Sequence, residues 1–244
     1  MVKITIKHYF DFKENNKTIG KRLDNFQSWD TLRINGKSND AFSIPESRLL
    51  WEKKCLDNPV FDQQAADIKK IVDQGGYRRI NSYGAGAAHL EYLIKKKAPH
   101  IFLECSDYAP KTIERLKEFF KEADKIIQFD ILKDEWVNEG PACLYLFHRV
   151  DTEFDDREWR AIFERAGSAG IQYILFVPSE FLTLRRFIRQ KTKLLLYKLL
   201  RKRITFAGYF RTREQSKAFF YKNYEIERVC RIGDLQGFLL KHIN

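Results

Sequence analysis

The sequence has little of what stabilises secreted domains or crosses membranes. Its four cysteines, Cys55, Cys105, Cys143 and Cys230, stand far apart and form no CxxC pair, which is typical of buried, reduced thiols in the cytosol. No apolar run approaches the roughly 18 residues that span a bilayer, and the first ten residues lack the apolar core of a signal peptide. We therefore expect a cytoplasmic protein without disulfides, membrane spans or a metal-ligand cluster.

Acidic residues are absent from one segment, and most of the net positive charge of the protein lies there. The 244 residues carry a formal charge of +11, yet nine basic residues and no Asp or Glu lie between Arg185 and Arg203. The remainder carries only +2. The pattern predicts a near-neutral body with one basic segment, and it argues against a broad nucleic-acid footprint.

The middle of the chain alternates short apolar strands with amphipathic helices, which predicts a parallel sheet covered on both faces. Predicted strands cover 79–83, 101–106, 125–129, 142–147 and 172–177, and predicted helices cover 59–74, 87–97, 110–121 and 155–166. The uninterrupted apolar run CLYLF (143–147) suits a central strand. A capping box at Thr212 predicts a helix through Asn223, and two strands, 224–231 and 237–243, then form an antiparallel hairpin.

The first 58 residues read differently and are interpreted as an N-terminal extension or cap before a domain of residues 59–244. Val2, Ile4 and Ile6 alternate with polar residues and predict a short strand. A capping box over 43–46 predicts a helix that ends at Cys55.

A glycine-rich turn, INSYGAGAAHL, follows the first strand of the sheet. Dinucleotide-binding folds use G-x-G-x-x-G/A, and counting from Gly84 and Gly86 this spacing would put the last small residue at His89. The alternative spacing, G-x-G-x-G, puts it at Ala88, which is small. The loop thus disfavours a nicotinamide cofactor and tolerates the S-adenosylmethionine (SAM) type.

Acidic residues end the next two strands. Asp107 follows the second strand at the position where an acid accepts hydrogen bonds from ribose hydroxyls, and Asp130 follows the third. Ligands in open α/β sheets bind beyond these carboxyl ends. Together the three strands bring a glycine loop and two acids to one edge of the sheet.

These motifs, with ECSDYAPKTIERL, IIQFDIL and the final hairpin YEIERVCRIGDLQGFLLKHI, make residues 59–244 resemble the class I SAM-dependent methyltransferases. The resemblance implies an α/β fold: a doubly wound, mostly parallel seven-stranded sheet with an antiparallel C-terminal hairpin. It adds a helical insert over 181–210 before the last helix. It also implies a SAM site made by Ser82, Gly84, Gly86, Asp107 and Asp130, with the adenine beside Phe129, Asp130 and Ile131.

Three positions depart from the family pattern. Ser82 stands where the family has an acid that complements the positive charge of SAM, Ala88 replaces the third glycine, and Thr152 stands where many members have a second histidine. His148, at the end of the fourth strand of the sheet, is the best candidate for the general base, and Asp151 would orient it or bind the acceptor. His89 is expected to pack or to face solvent.

The basic segment, Leu182–Arg203, has apolar residues at helical spacing and lies where this fold often carries substrate lids. Three interpretations stay open: its apolar face packs on the body with a solvated basic face, it lies on an anionic membrane, or it follows a phosphate backbone.

The predicted function is methyl transfer to an oxygen or nitrogen of a small-molecule or glycan-type acceptor, including a lipid-linked one. The alternatives are an inactive binding protein of the same fold and an RNA methyltransferase.

Overall fold

The computed structural model describes residues 6–10, 26–34, 43–200 and 205–243. These residues form nine strands: β1 Ile6–Phe10, β2 Arg79–Tyr83, β3 Phe102–Asp107, β4 Lys125–Gln128, β5 Cys143–His148, β6 Tyr173–Val177, β7 Thr205–Phe210, β8 Tyr224–Ile232 and β9 Leu235–His242. They also form eight helices: α1 Phe26–Ile34, α2 Arg48–Leu56, α3 Pro59–Gly75, α4 His89–Lys97, α5 Pro110–Phe119, α6 Asp156–Ser168, α7 Leu184–Leu199 and α8 Arg213–Lys217.

Seven of the strands form one sheet in the order β4-β3-β2-β5-β6-β9-β8. The five strands from β4 to β6 are parallel, β9 runs antiparallel to β6, and β8 runs antiparallel to β9. The predicted mostly parallel sheet with a C-terminal hairpin is confirmed. The chain order reverses between β2 and β5, and the two loops that leave these strands meet beyond their carboxyl ends, where ligands bind in such sheets.

The sheet separates two hydrophobic cores, because strands covered on both faces are apolar throughout. On one face, α3 and α4 bury Ile68 and Leu93 against β2 and β3. On the other face, α6 buries Trp159 and Phe163 against Phe147 of β5. Within the described part of the chain, no helix is long and apolar enough to cross a membrane.

The second helix begins later than the sequence predicts. Ser47, not Ser43, is its N-cap and accepts from the Leu50 amide. Ile44 is drawn into the core beside Trp51 and Cys55 instead of starting the helix. These three residues share a core with β2 and β3, so α2 packs as part of the central fold, while the boundary at residue 58 stays a prediction.

Helix α1 closes over the start of α5 and supplies its missing cap. The N-cap of α5, Ala109, has no side chain that accepts a hydrogen bond. Asp30 of α1 does so instead, accepting from the amide of Lys111 at 3.2 Å and from the amide and hydroxyl of Thr112 at 2.8 and 2.9 Å. Residues far apart in sequence thus satisfy the free N–H groups of α5.

Two features of the C-terminal third differ from prediction. The capping box of α8 is present at Thr212 and Gln215, but α8 ends at Lys217, not Asn223, and Phe219 and Phe220 turn into the core. The insert contains not only α7 but also β7, which pairs antiparallel with β1. That strand depends on a partner about 200 residues away in the sequence, which local patterning does not reveal; the Val2–Ile6 strand prediction lies mostly outside the described residues.

Replacing Asp30 by Ala is expected to lower the free energy of unfolding by about 1–2 kcal/mol, the usual cost of losing a helix cap. Asp30→Asn keeps one acceptor oxygen and should lose less than half of that. Urea unfolding followed by circular dichroism measures both. Equal stability of Asp30→Ala and the wild type would show that α1 does not cap α5.

Candidate functional site

The turn between β2 and α4 is built from three residues in the left-handed region. Gly84, Gly86 and Ala88 have φ of 68°, 61° and 53°. A Cβ on Gly84 would lie 2.5 Å from Val150 Cγ1, so the loops after β2 and β5 touch where only glycine fits. Ala88 occupies the third glycine position in the conformation that glycine favours, and it is fully buried.

A cavity of about 450 Å³ opens beside this turn. The glycine loop forms one side of it, and His148, Arg149 and Glu153, from the end of β5 and the loop after it, form another. Trp29 and Arg33 of α1 close it from the N-terminal side. The cavity therefore joins the predicted donor loop to the predicted base.

Asp107, at the end of β3, fastens three segments around the loop. Its Oδ2 accepts from the Gly86 amide and its Oδ1 from the Ala109 amide, both at 3.0 Å. Arg33 Nη1 lies 2.7 Å from Oδ1, and both side chains are almost fully buried. Burial opposes the charge of Arg33, but Asp107 and Glu153 outweigh it and raise the pKa of the guanidinium.

Ser82 donates a hydrogen bond to a carboxylate that the sequence did not single out. Its hydroxyl lies 2.8 Å from Glu91 Oε1 of α4, and Glu91 also lines the cavity. Burial raises the pKa of Glu91 to about 7, with Asp107 contributing in the same direction. Among the residues that the structure describes, no basic side chain forms an ion pair with Glu91.

Solved structures of known proteins share this fold. No protein-family profile and no curated protein matches the sequence, but solved structures do. N-methyltransferase NodS from Bradyrhizobium japonicum, solved with S-adenosylhomocysteine, has a TM-score of 0.59 at 13% identity over 91% of this chain and 100% of NodS.

Two further structures agree. Human N-acetylserotonin methyltransferase, solved with SAM, gives a TM-score of 0.57 at 18% identity, covering 80% of this chain. Mitomycin 7-O-methyltransferase MmcR gives 0.54 at 18% identity over 95% of this chain. This chain spans 55% of the human protein and 66% of MmcR. The chain has the fold of the class I SAM-dependent methyltransferases.

Within that fold, the predicted adenine-side residues lie apart from the cavity. Phe129 packs on Tyr83 with ring centroids 5.0 Å apart, and Ile131 belongs to the core under α6. Asp130 Oδ1 accepts from the Leu132 amide and its Oδ2 pairs with Lys133. Their role beside an adenine stays a prediction.

No hydrogen bond joins the predicted catalytic pair, His148 and Asp151, in the described structure. Asp151 is buried and its Oδ1 accepts from the Ser179 amide at 2.6 Å, joining the loops after β5 and β6. His148 faces the cavity, and its buried Nε2 has no hydrogen-bond partner among the described residues. Burial, with Arg149 nearby, lowers the pKa of His148 to about 3, so the imidazole is neutral at physiological pH.

Two further residues of the cavity wall, Glu153 and His89, have no functional role in the sequence prediction. Burial raises the pKa of Glu153 to about 8 even though Arg33 opposes that shift. His89 is buried rather than solvent-exposed, and its Nε2 also lacks a partner among the described residues. Phe61 lies between the two imidazoles, 6.2 Å from each ring. An acid with a perturbed pKa in a cavity wall is a candidate for proton transfer.

We expect the free energy of unfolding to fall as the pH rises from about 6.5 to about 8. Over that interval Glu91 and Glu153 are ionised in the unfolded chain, whereas in the folded protein they still hold protons up to pKa values of about 7 and 8. Because the folded state binds more protons, raising the pH favours unfolding, by at most about 1.4 kcal/mol per pH unit for each group.

Urea unfolding at several pH values measures this slope, and Glu91→Gln should reduce it. His89 and His148 act in the opposite direction, because their pKa values are depressed to about 4 and about 3 and the unfolded state binds the extra protons. Between about 4.5 and 6.5 they offset Glu91 and Glu153, and stability falls toward acid below about 4.5, where both carboxyls are protonated in either state. A slope of zero above pH 6.5 in the wild type would contradict the assignment of protonated carboxyls.

Proposed function

We propose that the protein transfers a methyl group from SAM to an oxygen or nitrogen of a small-molecule or glycan-type acceptor, including a lipid-linked one. The observation that carries the proposal is that one cavity is lined by both the glycine loop and His148. Methyl transfer needs donor and acceptor in one space, aligned for direct displacement. NodS and the human enzyme, both of this fold, are methyltransferases solved with SAH and SAM.

The residues around the loop suit the donor. Gly84 and Gly86 let the backbone approach a ligand closely, and the N-terminus of a helix, such as the start of α4 after this loop, favours an anionic group of the ligand. When bound, SAM supplies an electrophilic methyl group on a positively charged sulfur. Asp107 would hold the ribose hydroxyls, with Ser82 at the loop entrance and Phe129, Asp130 and Ile131 toward the adenine.

Glu91 provides the acid that position 82 lacks. Its carboxylate is held beside the loop by the Ser82 hydroxyl and lines the cavity without a basic partner in the described structure. A buried carboxylate is costly unless a cation accompanies it, and the amine and sulfonium of SAM would be that cation. Ser82 is one of the three departures from the family pattern that favoured an inactive protein, and in this proposal Glu91 would supply the acid in its place.

Arg33 has two effects on the same site. It neutralises Asp107, which stabilises the buried carboxylate, and it occupies space next to Gly86: a Cβ there would lie 3.4 Å from Arg33 Nη2. Ribose hydroxyls would therefore share Asp107 with Arg33 or displace it. Helix α1 in this way belongs to the donor site and not only to its cover.

The acceptor side offers two groups that can hold a proton. His148 presents a neutral, unpartnered Nε2 that can accept a hydrogen bond from a hydroxyl or amine. Glu153 has a pKa near physiological pH, which suits a general base. Asp151 fixes the backbone that carries both residues through its bond to Ser179, and we assign it a positioning role.

Calorimetric titration with S-adenosylhomocysteine tests the donor site. S-adenosylhomocysteine keeps the amino group that Glu91 is proposed to bind. Glu91→Gln should therefore weaken its binding about 10–100-fold, the usual value of a hydrogen bond to a charged group. Methylthioadenosine, which lacks the amine, should bind both proteins equally. Glu118→Gln, on the exposed face of α5, is the matched control. Absence of binding to the wild type at millimolar ligand would refute the function, whereas equal binding by Glu91→Gln would refute only the role of Glu91.

Incubating the protein with radiolabelled SAM and cell extract tests turnover. Comparing variants of His148 and Glu153 in this assay shows which of the two takes the proton. His148→Asn and Glu153→Gln should each lower the rate of methyl transfer, by about 10²-fold or more for the residue that takes the proton, while the dissociation constant for S-adenosylhomocysteine stays within about twofold. His100→Asn, on an exposed turn, should leave both unchanged. Full activity in both variants would remove these residues from the mechanism.

A further inference from the structure

Helix α7 presents an apolar strip to solvent. Leu184, Ile188, Leu195 and Leu199 share one face by helical spacing, and they are 76%, 56%, 58% and 70% exposed. None of the residues of α7 is buried. The interpretation in which the apolar face packs on the body is therefore wrong, and the strip needs another explanation.

The other side of the helix attaches it to the rim of the cavity. Phe187 packs against Leu182 and Phe210, and Phe210 also lines the cavity. This contact fixes the first turns of α7 while its apolar strip points away from the protein. The exposed strip is thus held close to the proposed acceptor side.

Basic side chains border the strip on both sides. At 100° per residue, Arg185 and Arg189 lie along one edge, and Lys191 and Lys198 lie along the other. The helix contains six basic residues and no acid; Arg186 forms an ion pair with Glu180, which precedes the helix. Long basic side chains can extend to anionic groups while their stems cover apolar surface.

We propose that α7 docks on an anionic lipid surface, with its apolar strip in the acyl boundary and its basic residues on the headgroups. A helix that combines a large apolar face with basic edges lies in the plane of a membrane interface, and each basic residue near an anionic leaflet adds attraction. Docking in this way would place the cavity beside the membrane surface.

The alternatives fit the strip less well. A nucleic acid would engage the charges through its phosphates but would leave four large aliphatic side chains exposed to water. A second copy of the chain would cover the strip, but it would bring six positive charges against six others, and like charges this close repel. An anionic lipid surface satisfies both the apolar and the basic parts of the helix.

Co-sedimentation with vesicles tests the proposal on the whole protein. The wild type should bind vesicles of phosphatidylcholine with phosphatidylserine and should not bind phosphatidylcholine alone. The double variant Ile188→Ser/Leu195→Ser should lose about tenfold or more in binding, since two aliphatic side chains that would enter the acyl boundary are removed. Arg189→Gln/Lys191→Gln should also bind these vesicles less than the wild type does. The difference should shrink as the salt concentration rises, because salt screens the charges that the variant removes.

A matched control separates the strip from surface hydrophobicity in general. Leu49→Ser/Val137→Ser removes two residues that are 76% and 61% exposed elsewhere on the protein, and it should bind vesicles as the wild type does. Thermal unfolding of every variant should match the wild type, because none of the replaced side chains is buried.

Four results would overturn the proposal. Failure of the wild type to bind anionic vesicles is the first, and unchanged binding by Ile188→Ser/Leu195→Ser is the second. The third is RNA binding with a steep salt dependence and no vesicle binding, which would assign α7 to nucleic acid. A dimer in analytical ultracentrifugation that Ile188→Ser/Leu195→Ser abolishes, without vesicle binding, would likewise assign the strip to a second copy.

Discussion

The carboxylate of Asp107 is the contact on which the site depends. Its two oxygens take the amide of Gly86 in the loop after β2, the amide of Ala109 before α5, and the guanidinium of Arg33 from α1. Burying a carboxylate costs several kcal/mol unless hydrogen bonds and a counter-charge offset the loss of water. All three partners are present, so one side chain fixes the glycine turn, the neighbouring helix and the N-terminal helix together.

Much of the fold followed from pattern, because local periodicity decides local structure. The strand run CLYLF is buried on both faces as a central strand should be, and its position beside β2 follows from the topology that alternating strands and helices allow. The loop spacing that favoured Ala88 over His89 also proved informative: Ala88 has the left-handed backbone of a third glycine.

The electrostatics of the site could not be predicted in the same way. Glu91 lies in a run of α4 in which every residue from His89 to Ile94 is buried, and nothing local indicates that its partner is Ser82, nine residues earlier. Arg33 meets Asp107 across more than 70 positions. Burial raises the pKa of Glu153, and Asp107 and Asp151 add to that rise while Arg33 opposes it. Such pairings depend on the packed structure, where burial turns an ordinary carboxyl into a protonated one.

The basic segment of the molecule and the acidic side chains of its cavity lie in different places. Nine positive charges of the +11 molecule lie between Arg185 and Arg203 in the sequence, whereas four acidic side chains and two basic ones line the cavity: Glu91, Glu153, Glu180, Asp234, Arg33 and Arg149. The basic charges that would attract an anionic surface are thus separated from the acidic side chains that a cationic donor would meet. Because the desolvated interior screens charge weakly, the cavity acids and not the net charge decide what binds there. A basic protein can in this way hold a positively charged ligand beside an acidic membrane.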